Sequence, residues 1–139
     1  FKQKTAYEIA CRSRIPAEPL FRYNLGSVLQ ALGEYEEARA AYQRALAIRE
    51  AALGPDHQDV GWSLCDLARL EQRQNDLAPA LLHFEQALGI FTTALGPDHP
   101  DLKEVLVDYA EASRQANRSA LADSLDHLAR ALGGKSDVN

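Results

Sequence analysis

The chain has 139 residues, 46% of them hydrophobic and 25% charged, an ordinary composition for one globular domain. A formal net charge of -5 argues against nucleic acid as the main partner, because phosphate backbones are held by clustered Lys and Arg. No apolar run approaches the ~18 to 20 residues that span a bilayer and no secretory pattern opens the chain, so no membrane association is expected.

In chain order, the first element is a helix from Phe1 to about Arg14. With Phe1 at the start and no Met anywhere, the sequence is expected to be a piece of something longer. A second helix runs from about Leu20 to Leu32, and Gly33 turns the chain. In the next helix Ala38, Ala41, Tyr42, Ala45, Ile48 and Ala52 recur at spacings of three and four, which places them on one face. The stretch "ALGPDHQD", Ala52–Asp59, then breaks the pattern. Gly54 stops the helix, Pro55 prevents its continuation, and Asp56 is expected to cap the following helix, with Asp59 adding negative charge to its first turn.

The same series then repeats 42 positions on. A helix is expected from about Asp59 to Gln74, a turn at Asn75, a cap at Asp76, and a helix with Pro79 in its first turn and Ala80, Phe84, Ala87, Leu88 and Ala94 on one face. "ALGPDHPD", Ala94–Asp101, ends it. Residues 18–59 laid over 60–101 agree at 13 of 42 positions without a gap, the signature of a stacked repeat.

A third pair starts with a helix from about Leu102 to Gln115 and turns at Asn117. Its second helix is ambiguous in register. Ala122 and Ala129 keep the spacing, but Asp126 stands where Tyr42 and Phe84 belong. A one-residue shift would bury Leu121, Leu125, Leu128 and Leu132 instead. The expected organisation is therefore a partial repeat and linker at 1–17, repeats at 18–59 and 60–101, a degenerate repeat or capping pair at 102–132, and a disordered tail at 133–139.

No chemistry is legible. "GGKS" at Gly133–Ser136 has Ala129 where a phosphate loop needs its first glycine, and no strand precedes it. His57 and His99 offer one ligand per joint, too few for zinc, and His83 and His127 add no metal spacing. Cys11 and Cys65 form no redox or metal motif and read as reduced thiols of a cytoplasmic protein. Neither catalysis nor a cofactor or metal is expected.

The segment "NLGSVLQALGEYEEARAAYQRALAI" at Asn24–Ile48, followed by "ALGPDH", resembles the tetratricopeptide repeat (TPR), in the 42-residue variety of kinesin light chains. The small and large positions match at Leu25, Gly26, Gly33, Tyr35, Ala38, Tyr42, Ala45 and Leu46. They match again at Leu64, Leu67, Ala68, Leu77, Ala80, Phe84, Ala87 and Leu88.

The resemblance implies an all-α fold, a right-handed superhelical solenoid of antiparallel helix pairs, whose first helices line a concave groove that takes a peptide or protein. Carried onto this sequence, that groove comprises Leu20, Tyr23, Asn24, Ser27 and Gln30 from the first repeat. The second gives Trp62, Cys65, Asp66, Arg69, Gln72 and Arg73, and the third Glu104, Val107, Asp108, Glu111 and Arg114. Leu20, Cys65 and Val107 are the ones expected to pack helices together, and Trp62 is the expected anchor for a ligand.

Groove positions that clamp chaperone tails with cations in this family are here Tyr23, Ser27, Asp66, Glu104 and Asp108, so no such tail is expected to bind. The implied function is a scaffold or adaptor module. The alternative is a regulatory segment of a larger signalling enzyme, an NTPase or caspase-like protease. Self-association through the Phe1–Arg14 end is a third option.

Overall fold

The computed structural model describes residues 34–136. Among them the chain forms five helices and no strand: α1 Tyr35–Leu53, α2 Gln58–Arg73, α3 Leu77–Leu95, α4 Asp101–Gln115 and α5 Ser119–Ser136. The expected Phe1–Arg14 and Leu20–Leu32 helices and the turn at Gly33 lie outside the described residues. The helices α2 and α3 form one antiparallel pair and α4 and α5 the next, with α1 packed on α2 ahead of them. The all-α stack of helix pairs is thus the fold of the chain.

Two kinds of turn alternate. Within a pair, Asn75 and Asn117 take φ of 60° and 59°, the left-handed conformation that asparagine tolerates. The amide of Asp76 donates to the Glu71 carbonyl and that of Asn75 to the Gln72 carbonyl, and Arg118 and Asn117 repeat this on Ser113 and Arg114. Both turns therefore close the orphan carbonyls of a helix end in the same way. Between pairs, Gly54 and Gly96 adopt φ of 91° and 93°, where a side chain would be strained.

The start signal after each glycine differs from expectation. Asp56 does not cap α2: the N-cap is His57, whose Nδ1 accepts from the Asp59 amide at 3.1 Å. His99 does the same for the Asp101 amide at 3.2 Å. The turn places the histidine, not the aspartate, two residues ahead of the amide that needs an acceptor. Asp76 likewise makes no side-chain cap, and its carboxylate lies 3.7 Å from Arg39. His57→Ala is expected to cost about 1 kcal/mol of unfolding free energy, as lost caps do, and Asp56→Ala much less. Urea denaturation of the two variants measures the difference.

Packing follows the repeat. Ala38, Ala80 and Ala122 occupy one position of three successive second helices, and all are fully buried. Ala45, Ala87 and Ala129 are buried one face-repeat further on. These small residues let helix backbones close up, and large rings fill what remains. Phe84 is buried against Tyr109 of α4, with stacked rings 6.1 Å apart between centroids. Phe91 lies over Gly61 of α2, where a Cβ would sit 2.9 Å from its Cζ, so only glycine admits the ring.

Arg49 of α1, the counterpart of Phe91, is also buried and donates to the Ser63 hydroxyl and the Asp59 carbonyl. The first helices α2 and α4 of successive pairs touch directly. In the stack that the resemblance implies, first helices such as these form the inner side and second helices the outer side.

In the last pair Ala122, Leu125 and Ala129 are buried, Leu121 and Leu132 pack partly against the core and Leu128 is 54% exposed, so the buried face draws on both candidate stripes. Asp126, at the Tyr42 and Phe84 position, instead accepts from Arg114 Nη1 at 2.6 Å. Part of the expected tail is helical, since α5 runs on to Ser136. Glycine weakens a helix by about 1 kcal/mol per residue without forbidding it. The Cβ position of Gly133 lies 3.0 Å from Lys103 Nζ, so its bare backbone makes room for that side chain.

Candidate partner-binding groove

The inner row of the stack is built from α2 and α4. Amphipathic spacing turns Val60, Leu64, Leu67 and Ala68 of α2, and Leu102, Val105, Leu106 and Tyr109 of α4, into the core. Of the residues that the family resemblance assigned to the groove on these helices, Trp62, Arg69, Gln72, Arg73, Glu104, Val107, Asp108, Glu111 and Arg114 stay outside the buried set, whereas Cys65 and Asp66 are buried.

Asp66, Glu104 and Asp108 gather around Arg69. Its Nη2 lies 2.6 Å from both Glu104 Oε1 and Asp108 Oδ2, and Nε donates to Asp108 Oδ2 at 2.7 Å. Asp66, one turn back on α2, is 3.6 Å from Nη1 and only 7% exposed. One guanidinium thus ties α2 to α4 through carboxylates on both helices. Burial opposes the charge on Arg69, but Asp108 and Glu104 outweigh it and push its pKa further up. The fork of donors suits this bidentate role, which a lysine could not fill.

Further along, Arg114 lies 3.0 Å from Glu111 and 2.6 Å from Asp126, all on the solvent side. Arg73 is exposed and Gln72 half-buried. Val107 is 45% exposed rather than packed between helices, the reverse of the expectation for it. Cys65, its counterpart one repeat earlier, is fully buried, as expected of a packing residue. Burial disfavours its thiolate and pushes the thiol well above the ordinary range.

Trp62 is half-buried, its ring edge-on to Phe91 at 4.8 Å between centroids, so much of the ring holds α2 to α3. Tyr23, Asn24, Ser27, Gln30 and Leu20 lie outside the described residues. Sequence reading missed one surface altogether, an apolar cleft on the outer side around Leu128. The signal was available: the equivalent positions are Arg44 and Gln86.

Among the described residues no group of His, Cys, Asp and Glu could hold a metal ion, and no helix is long and apolar enough to cross a membrane. A family model, the tetratricopeptide repeat, matches residues 20–93, more than half of the chain. The chain belongs to the tetratricopeptide repeat family. TPRs are in general protein-interaction modules and typically non-catalytic scaffolds.

No curated protein matches the sequence. Solved structures do match the fold. BtubC (BKLC) from P. vanneervenii superimposes with a TM-score of 0.82 at 18% identity, over 97% of this chain and 55% of that one. A putative kinesin light chain of nearly identical TPR-like repeats from Podosopora anserina gives 0.76 at 24% identity, over 96% of this chain and 64% of that one. A single-residue variant of that protein gives 0.77 at 22%, with the same coverage. These superpositions show a shared fold, and the chain spans 55% to 64% of the length of these structures.

Proposed function

We propose that the chain is a scaffold or adaptor segment whose inner row, α2 and α4, binds an extended or helical stretch of a protein partner. The observation that carries this reading is the Arg69 network. It fixes side chains of two repeats in one geometry, so the surface a partner meets is preorganised and less ordering entropy is lost on binding. Around it, exposed Arg73, Arg114, Glu104 and Glu111 offer both signs, and Val107 offers an apolar contact. A segment carrying both charges and one apolar side chain complements that row. Tyr23, Asn24, Ser27 and Gln30 extend the row in this reading, with repeats at 18–59 and 60–101 and a closing pair at 102–132.

Arg69 is saturated by three carboxylates, so it is poorly placed to clamp a terminal carboxylate. The proposal therefore excludes acidic chaperone tails. No feature of the described residues favours the alternative of a regulatory segment within a larger signalling enzyme, nor pairing through the terminal helices.

The test is selection of binders from a displayed random-peptide library, followed by titration of each against the chain and against Arg73→Glu with Val107→Ser. Both positions are exposed, so the helical circular dichroism should persist. Affinity is expected to fall at least tenfold, ~1.4 kcal/mol. A peptide ending EEVD should show no micromolar binding. Unchanged affinities, or tight binding of the EEVD peptide, would overturn the groove reading.

A further inference from the structure

In the last pair α4 and α5 frame a groove of about 430 Å³, lined by Lys103 and Val107 of α4 and by Asp126, Ala129, Arg130 and Gly133 of α5. These residues stand 42 positions after Gly61, Cys65, Phe84, Ala87, Leu88 and Phe91 of the preceding pair. There Cys65, Phe84, Ala87 and Phe91 are fully buried in one core with Leu102 and Val105 of α4, and Leu88 packs against it. In the last pair the two rings and the leucine give way to Asp126, Gly133 and Arg130. Val107 is 45% exposed where Cys65 is fully buried.

Another helix pair of the same kind would pack poorly on this face, because an arginine and an aspartate would leave water in place of a leucine and a ring. The acids around the groove are already held. Glu104 and Asp108 each lie 2.6 Å from Arg69, and Glu111 and Asp126 lie 3.0 and 2.6 Å from Arg114. Lys103 and Arg130 are both exposed, and neither forms an ion pair among the described residues. The Cβ position of Gly133 is 3.0 Å from Lys103 Nζ, so a side chain there would crowd the ammonium. The groove thus holds two unmatched positive charges in a chain whose net charge is -5.

We propose that this groove takes a phosphorylated serine or threonine of a protein partner, with an apolar side chain beside it resting on Val107. The occupant follows from the charge. A phosphoryl group carries about -1.5 to -2 at neutral pH, which two cations balance, whereas a single carboxylate leaves one of them unmatched. The Arg130 guanidinium can engage two phosphate oxygens at once, and Lys103 adds a point charge. Val107 offers a contact that a neighbouring side chain would use and a free phosphate would not. Outside its phosphate the segment is neutral or basic, because the net charge of -5 repels a run of acids. The groove meets the inner row at Val107, but its cations are not those of that row, and the inference does not rest on that row binding a partner.

The test is an array of synthetic dodecapeptides with a central phosphoserine and varied flanks, beside the same peptides with serine and with glutamate at that position. The strongest binders are titrated against the chain and against Lys103→Glu, Arg130→Glu and Arg73→Glu, and circular dichroism melts check that each variant folds. Phosphoserine peptides with Leu, Ile or Val next to the phosphate are expected to bind at least tenfold more tightly than their serine and glutamate counterparts. They should bind Lys103→Glu and Arg130→Glu at least tenfold more weakly, bind Arg73→Glu equally, and weaken as salt rises. The proposal is overturned if serine or glutamate peptides bind as well, or if Lys103→Glu and Arg130→Glu leave the affinities unchanged. Indifference to the flanking residue, with full competition by millimolar inorganic phosphate, would reduce the groove to a simple anion site and overturn it equally. The inner-row reading is decided separately, by unphosphorylated peptides and the Arg73→Glu with Val107→Ser variant.

Discussion

Phe84→Ala is expected to remove about 3–5 kcal/mol of unfolding free energy, as truncation of a fully buried aromatic ring does. The ring is fully buried and stacks on Tyr109, so it closes both the α2–α3 pair and the contact of α3 with α4. Alanine leaves a cavity that close neighbours cannot fill, because Ala80 and Ala87 on either side are themselves small. In a stack whose stability is a sum of units and nearest-neighbour contacts, losing this contact should also uncouple α4 and α5 from the rest. Urea unfolding followed by circular dichroism should then show a lower midpoint and a broadened or two-step transition. A loss below about 1 kcal/mol would mean that the pairs are joined by something other than this ring.

The second large effect concerns a polar pair in the core. Glu71 is 2% exposed, and its Oε2 lies 2.7 Å from Nδ1 of His83, joining α2 to α3. The next pair has Ser113 and Leu125 at these positions, so the repeat does not need the contact. Removing one partner strands the other. His83→Leu is expected to cost about 1–3 kcal/mol, because the Glu71 carboxyl keeps its burial and loses its hydrogen bond. Glu71→Leu with His83→Leu should recover most of that or exceed wild type, since apolar replacements of buried polar pairs often do. A double-mutant cycle in urea measures this, and additive losses from the two changes would contradict the pairing.

The repeat was the most legible feature because period, breakers and small residues all agree. Ala38, Ala80 and Ala122 can be found from spacing alone, and each is fully buried. The caps were misread because aspartate and histidine both accept hydrogen bonds, and only the turn geometry decides which stands near the Asp59 amide. The register of α5 was open for a related reason. Leu125 belongs to one candidate stripe and Ala122 and Ala129 to the other, yet all three are buried.

The groove was legible as a set of residues through the family resemblance, but its internal wiring was not. Arg69 meets Glu104 and Asp108 across 35 and 39 positions of sequence, a pairing that depends on how the two pairs stack. Trp62 stood out as an anchor by residue type. That its ring rests on Phe91 could be known only once α2 and α3 were packed.

The most direct test of partner binding on the inner row is hydrogen exchange of the chain with its tightest selected peptide. Binding there predicts slowed exchange along α2 and α4 around Arg69, Arg73, Val107 and Glu111, lost when Arg73→Glu and Val107→Ser are introduced. Slowing confined to α3 and α5 for every selected peptide would contradict it.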